Sequence, residues 1–162
     1  MMNFELVIDG IPQLQRSFAT WGASISDFSE PFEQIAEGLQ TDNMLNMVSE
    51  GTLYGPWPPL AESTIKNRVR KGYGSGPMLI NSGDLAQSLA GGAGSVKEIG
   101  PLQMSLGTEV AYAKYLHFGT SRMPARKLIG LVWNRKQMIV RTLGDFVRSK
   151  AVEAGLLAAG GE

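Results

Sequence analysis

The run Val96-Lys97-Glu98-Ile99-Gly100-Pro101-Leu102-Gln103-Met104-Ser105-Leu106 decides the fold class. Leu102, Met104 and Leu106 alternate strictly with Gln103 and Ser105, the period of a strand with one face against a core. Residues 96–99 supply a second strand, and Gly100-Pro101 the turn between them. The segments on either side of this hairpin carry helical periodicity instead. The architecture this predicts is α+β: a small antiparallel sheet or hairpin packed with several helices, one of them long and C-terminal.

Immediately downstream stands Ala111-Tyr112-Ala113-Lys114-Tyr115-Leu116-His117-Phe118-Gly119-Thr120, which runs through Ser121-Arg122 into Met123-Pro124-Ala125-Arg126. Tyr112, Tyr115 and Leu116 fall at i, i+3 and i+4, so the spacing predicts a short helix over 111–118 with these three on one buried face. Gly119 can close that helix in a left-handed conformation, and Pro124 prevents a restart from the residue before it. The last element spans about 128–152. Val132, Ile139, Leu143 and Phe146 share one face, and Asn134, Gln137, Arg141, Asp145 and Arg148 form a polar stripe with an Arg141–Asp145 pair at i, i+4.

Upstream, residues 4–8 read as a strand ended by Asp9-Gly10. Ile11, Leu14, Phe18 and Trp21 then mark an amphipathic helix with Pro12 in its first turn. Ser29 is a good N-cap for a second helix, with Phe32, Ile35 and Leu39 as its apolar stripe and Glu30, Glu33 and Glu37 as an acidic ridge. Gly38 weakens its middle, while Met44, Leu45, Met47 and Val48 carry it on as core-filling side chains. Gly55-Pro56-Trp57-Pro58-Pro59 cannot be helix and makes a stiff connector bearing a large aromatic. Residues 61–71 form a short helix with Ile65 and Val69 inward and Lys66, Arg68, Arg70 and Lys71 mostly outward. A glycine loop, 72–76, follows it. Asn81-Ser82-Gly83-Asp84 is a turn in which Ser82 or Asp84 caps a helix carrying Leu85, Ser88 and Leu89.

A chain of 162 residues is the size of one domain that buries about two thirds of its unfolded surface. We expect one body over 1–154 and a loose Ala/Gly-rich tail over 155–162. There is no cysteine and a single histidine, which leaves no thiolate site and too few nitrogen ligands for a typical zinc centre; no cofactor or metal is expected. The start lacks the basic and apolar regions of a signal peptide, and the longest apolar run, 128–133, is far too short to span a bilayer, so use in the cytoplasm and no membrane contact are expected. Net charge is zero but polarised: residues 1–60 carry one basic and eight acidic side chains, residues 61–162 fourteen and seven, giving −7 and +7. Such halves can neutralise each other within one fold or between neighbouring copies.

Ser82, Asp84, Glu109 and His117 are the candidate nucleophile and acid–base groups. Without a Gly-x-Ser-x-Gly elbow, a Walker loop or a paired metal motif they make no recognisable catalytic set, and an enzyme is not expected. The basic helix beside the glycine loop fits either a solvated face or phosphate contact by Lys66, Arg68, Arg70 and Lys71.

Four pieces read in order carry a resemblance: Trp57-Pro58-Pro59-Leu60 before Thr64-Ile65-Lys66-Asn67-Arg68; Leu79-Ile80-Asn81-Ser82-Gly83-Asp84-Leu85 before Ser88-Leu89; Leu106-Gly107-Thr108; and Tyr112-Ala113 through Arg126. Over roughly 52–132 the chain resembles the phage virion morphogenesis family, the tail-completion-like proteins of Mu-like phages and prophages. It departs from that pattern at Pro124-Ala125-Arg126-Lys127-Leu128, where the family tends to run Pro-Ala-Arg-Pro-Phe, and in its glycine loop. The resemblance implies a non-catalytic structural protein that finishes or joins heads and tails, located in the virion and assembled in the host cytoplasm. The expected form is a homo-oligomeric ring, hexamer or dodecamer, at the head–tail neck, touching other neck and tail proteins and in passing the viral DNA. Residues 112–126 would then be the docking surface: Tyr112 and Phe118 as apolar anchors, His117 and Thr120 as hydrogen-bonding groups, Arg126 as a charged clamp. Trp57 would be a further anchor. Two other readings are a nonspecific DNA-binding accessory protein and a transient assembly factor absent from the mature virion.

Overall fold

The computed structural model describes residues 11–74 and 77–158. The strand expected at 4–8, the last two positions of the glycine loop and the end of the expected tail lie outside the described residues. In chain order the elements are α1 (Ile11–Ser24), α2 (Ser29–Val48), α3 (Glu62–Arg70), α4 (Asp84–Leu89), β1 (Ser95–Ile99), β2 (Met104–Thr108), α5 (Ala113–Phe118) and α6 (Trp133–Glu153).

The hairpin forms as its alternation predicts, with β1 and β2 antiparallel and Val96 opposite Gly107, Lys97 opposite Leu106. Its second strand begins at Met104, later than expected. Leu102 sits on the exposed turn, where the Gly100 N–H closes on the Gln103 carbonyl at 2.9 Å. The same turn anchors the helices: the Phe28 N–H between α1 and α2 donates to the Pro101 carbonyl at 2.7 Å. Phe28 also packs its ring 5.1 Å from that of Phe146 on α6, as paired aromatics prefer.

Helix α2 packs against α4, α6 and β1. Ser29 is its first residue rather than its cap, and the Ser29 N–H is held by the Asp27 carboxylate at 2.8 Å. The acidic ridge is partly neutralised inside the subunit, since Glu33 pairs with Lys97 of β1. Farther along, Asp42 takes a two-pronged bond from Arg135 of α6, with Nε to Oδ2 at 2.6 Å. Gly38 leaves room beside the guanidinium, since a Cβ there would stand 2.7 Å from Arg135 Nη1 and the arginine would have to shift.

The main core cluster joins Met47, Trp57, Leu85, Ala86, Leu89, Ala113 and Leu128, with Met78, Leu79, Ile80, Val110 and Leu116 around it. In three places the buried face differs from the periodicity reading. The C-terminal half of α2 buries Asn43, Asn46 and Met47 and exposes Met44, Leu45 and Val48. Helix α3 buries Arg68 and exposes Ile65 and Val69. Helix α5 turns Ala113 inward and leaves Tyr112 and Tyr115 outside. The cap of α4 also differs: Gly83 precedes it in the left-handed conformation, and Ser82 Oγ donates to the Asp84 carboxylate instead of capping.

Helix α1 contributes no buried residue. It touches α6 through Trp21, whose Nε1 donates to the Val147 carbonyl at 3.3 Å, while Ile11, Leu14 and Phe18 stay exposed. Helix α6 starts at Trp133, because 128–132 is an extended lead-in with Leu128 buried. Its polar stripe is exposed as expected, but no Arg141–Asp145 ion pair forms among the described residues. Lys150 pairs with Glu153 in the last turn. No helix among the described residues is long and apolar enough to cross a membrane.

Candidate docking site on α5 and its return loop

Six residues make a poor helix on their own. Helix α5 is fixed instead by what its ends and inner face bind. Ala113 and Leu116 enter the core, and His117 leans on the lead-in to α6, where Nδ1 accepts the Leu128 N–H at 3.2 Å. That bond leaves the ring proton on Nε2 and requires the neutral imidazole. Burial, and then the nearby Lys127 charge, push the His117 pKa below its usual value.

Gly119 ends the helix with φ 75° and ψ 179°. A side chain is excluded there as well, since a Cβ would lie 2.7 Å from the Ala125 nitrogen and 2.9 Å from the Met123 carbonyl. The chain then doubles back. The Thr120 N–H bonds the Met123 carbonyl at 2.8 Å, and the Arg126 N–H reaches the otherwise open Leu116 carbonyl at 2.8 Å. Thr120 Oγ1 accepts the Arg122 N–H at 3.3 Å, so this hydroxyl shapes the turn itself.

What this frame presents to solvent is a row of aromatics. Tyr112, Tyr115 and Phe118 are 49, 52 and 78 % exposed, the last being the most exposed large apolar side chain among the described residues. At three-residue steps they share an arc of about 120° around the helix. Lys114 lies with Nζ 5.1 Å from the centre of the Tyr115 ring, and Arg122 is exposed on the return loop. Beside the row is a hollow of about 350 Å³, lined by Leu89, Val110, Ala113, Lys114, His117 and Phe118 among others.

Trp57 and Arg126 point the other way. Trp57 is buried and its Nε1 donates to the Lys127 carbonyl at 3.0 Å. Arg126 is 3 % exposed, with Nη2 on the Pro58 carbonyl at 2.9 Å and the Pro59 carbonyl at 3.2 Å, and Nε on Pro58 at 3.2 Å. Burial lowers its pKa. The clamp expected of Arg126 closes within the subunit, on the proline connector, and Trp57 fills the core beside it. Neither side chain is presented to a neighbour.

Asn46 completes this knot and was not singled out by sequence reasoning. Fully buried, it donates through Nδ2 to the Lys127 carbonyl at 2.9 Å and accepts the Tyr54 N–H on Oδ1 at 3.2 Å. The Tyr54 hydroxyl donates to Asn43 Oδ1 at 3.1 Å, and burial, reinforced by Asp42, pushes its pKa up to about 12. The only advance signal was that two asparagines interrupt an otherwise apolar helix end at three-residue spacing.

The four basic candidates divide. Lys66, Arg70 and Lys71 are exposed. Arg68 is buried, with Nη2 donating to the carbonyls of Pro77 at 3.1 Å and Ile80 at 3.4 Å, so it does not face outward as expected. The candidate catalytic residues are not assembled: Ser82 and Asp84 bond each other on the surface, whereas His117 is engaged by Leu128. No cluster of three or more metal-ligating side chains occurs among the described residues.

No curated protein and no solved structure matches the chain significantly. Residues 9–148 match the model of the phage virion morphogenesis family.

Proposed function

The chain belongs to the phage virion morphogenesis family, and on that premise we propose that it acts at the head–tail neck, completing or terminating the tail and joining it to the head as a multi-copy ring. Membership supports a structural or morphogenetic role in the phage particle rather than a catalytic one. The observation that carries the finer reading is the aromatic row of α5. Three large aromatics held outward on a helix whose inner side, C-terminus and return loop are all fixed form a rigid, pre-organised contact surface. Closed rings of one small subunit need two different, complementary surfaces, and the opposed charge of the two halves of the chain suits such a contact.

The test is the mass of the protein in solution by light scattering on a sizing column, together with its copy number in purified particles. A defined ring, or a monomer that enters particles at ring-like stoichiometry, agrees with the proposal. A monomer absent from particles defeats it and favours a transient assembly factor.

A further inference from the structure

Helix α2 carries a second uncovered apolar surface, and it has the chemistry to receive the first. Met44, Leu45 and Val48 are 38, 52 and 51 % exposed, on a face that begins beside buried Met47 and turns outward from it through Val48 and Leu45. With Ala90 they line an open trough of about 570 Å³ whose rim carries Glu37, Gln40 and Thr41. Among the described residues nothing covers it, and the Glu37 carboxylate has no cationic partner.

The α5 row is its counterpart. It is aromatic where the trough is aliphatic, and it is edged by Lys114, which likewise has no carboxylate partner among the described residues. Both elements send their inner residues, Met47 from α2 and Ala113 from α5, into the same core cluster, so their outer faces both turn away from it. A subunit therefore cannot satisfy one with the other. A second copy can. Methionine at the trough suits an aromatic visitor, since its thioether adapts to ring edges.

We propose that the contact between ring neighbours seats Tyr115 and Phe118 of one copy in the Met44, Leu45, Val48 and Ala90 trough of the next, with Lys114 reaching Glu37. This rests on the ring reading above and names the two faces that make it. Repeated head to tail, the contact leaves one free row and one free trough on any open chain of subunits, and closure removes both.

The chain has no cysteine, so introduced thiols report the contact directly. Tyr115→Cys and Leu45→Cys both lie at exposed positions and leave the core intact. Under mild oxidation a covalent dimer is expected when the two single variants are mixed, and a ladder of multimers from the double variant. Neither single variant should cross-link to itself. Independently, Lys114→Glu or Glu37→Lys alone should weaken association about tenfold and the two together should restore it. An oligomer by light scattering with no Tyr115–Leu45 cross-link overturns the pairing while leaving the ring intact. A Leu45→Cys chain that cross-links to Phe18→Cys instead would put α1 in the trough and also overturn it. A monomer at every concentration, absent from particles, removes the ring reading itself.

Discussion

Replacing Arg126 with alanine should cost stability before it costs anything else. The guanidinium makes three hydrogen bonds to two carbonyls, Pro58 and Pro59, with 3 % of the residue exposed. A bond from a charged donor is worth about 1.5–3 kcal/mol net, and a buried carbonyl left without a partner costs about 1–3 kcal/mol. These terms overlap, and the proline connector can relax towards water, so the sum for Arg126→Ala is about 3–5 kcal/mol, among the larger single-residue effects. With a urea dependence of about 2 kcal/mol per molar, the unfolding midpoint should fall by about 1.5–2.5 M with an unchanged slope. Arg126→Lys keeps a cation but not the fork, and should recover about half of the loss. Chemical denaturation followed by the fluorescence of Trp57, Trp21 and Trp133 reads all three proteins. A midpoint within about 0.3 M of the parent for Arg126→Ala, coupled to failed particle completion, would refute the argument and return Arg126 to the docking surface.

Other substitutions separate stability from assembly. Phe118→Ser and Tyr115→Ser should shift thermal unfolding little, because both side chains are already in water, yet should reduce ring formation at least tenfold if each is an interface anchor worth more than about 1.4 kcal/mol. Asn46→Leu is of similar volume but leaves the Tyr54 N–H unpaired and the Lys127 carbonyl with Trp57 as its one remaining side-chain donor, so a loss of about 1–3 kcal/mol is expected in a urea titration. Gly119→Ala should destabilise by more than about 1 kcal/mol, since φ is unfavourable and the Cβ meets backbone; a neutral result would mean that the return loop is not held as described. His117 sets a pH window. Its folded pKa is depressed by burial and then by Lys127, so its contribution is complete above the unfolded value of about 6.5 and is lost as pH falls through the folded pKa. Stability measured between pH 7 and pH 5 should decline, and His117→Gln should flatten that decline. DNA binding through Lys66, Arg70 and Lys71 would instead show as retention that collapses with salt.

Secondary structure was largely legible in the sequence, and the reason is local. Alternation at residues 104–106 and the helical stripes of α2 and α6 follow from side-chain periods that short windows reveal. Which side of a helix faces the core was legible only where apolar residues had no polar rival. At Asn43, Asn46 and Arg68 the polar side chains went inside because partners were waiting for them: the Tyr54 hydroxyl for Asn43, the Lys127 carbonyl and Tyr54 amide for Asn46, and the Pro77 and Ile80 carbonyls for Arg68. No window of sequence shows such a partner. Helix α5 failed differently: with Tyr112, Tyr115, Leu116 and Phe118 in seven residues, periodicity grouped Tyr112 and Tyr115 with Leu116 on the inner face, and of those three only Leu116 packs on the core. The exposed aromatic segment stood out in the sequence by its composition, but within it the sequence could not distinguish the residues that present from those that brace.

The knot around the Lys127 carbonyl also sets an order of events during synthesis. Asn46 and Trp57 donate to one carbonyl, and Arg126 fastens the connector beside them, so the bonds span 81, 70 and 68 positions of chain. The first half of the polypeptide can form helices as it leaves the ribosome, but the connector at residues 55–59 stays unfastened until residues 126–128 have emerged. Contacts of that span fold late and slowly. The same closing stretch runs directly from the aromatic row of α5. A nascent or truncated chain therefore lacks the braced row until its own interior is locked.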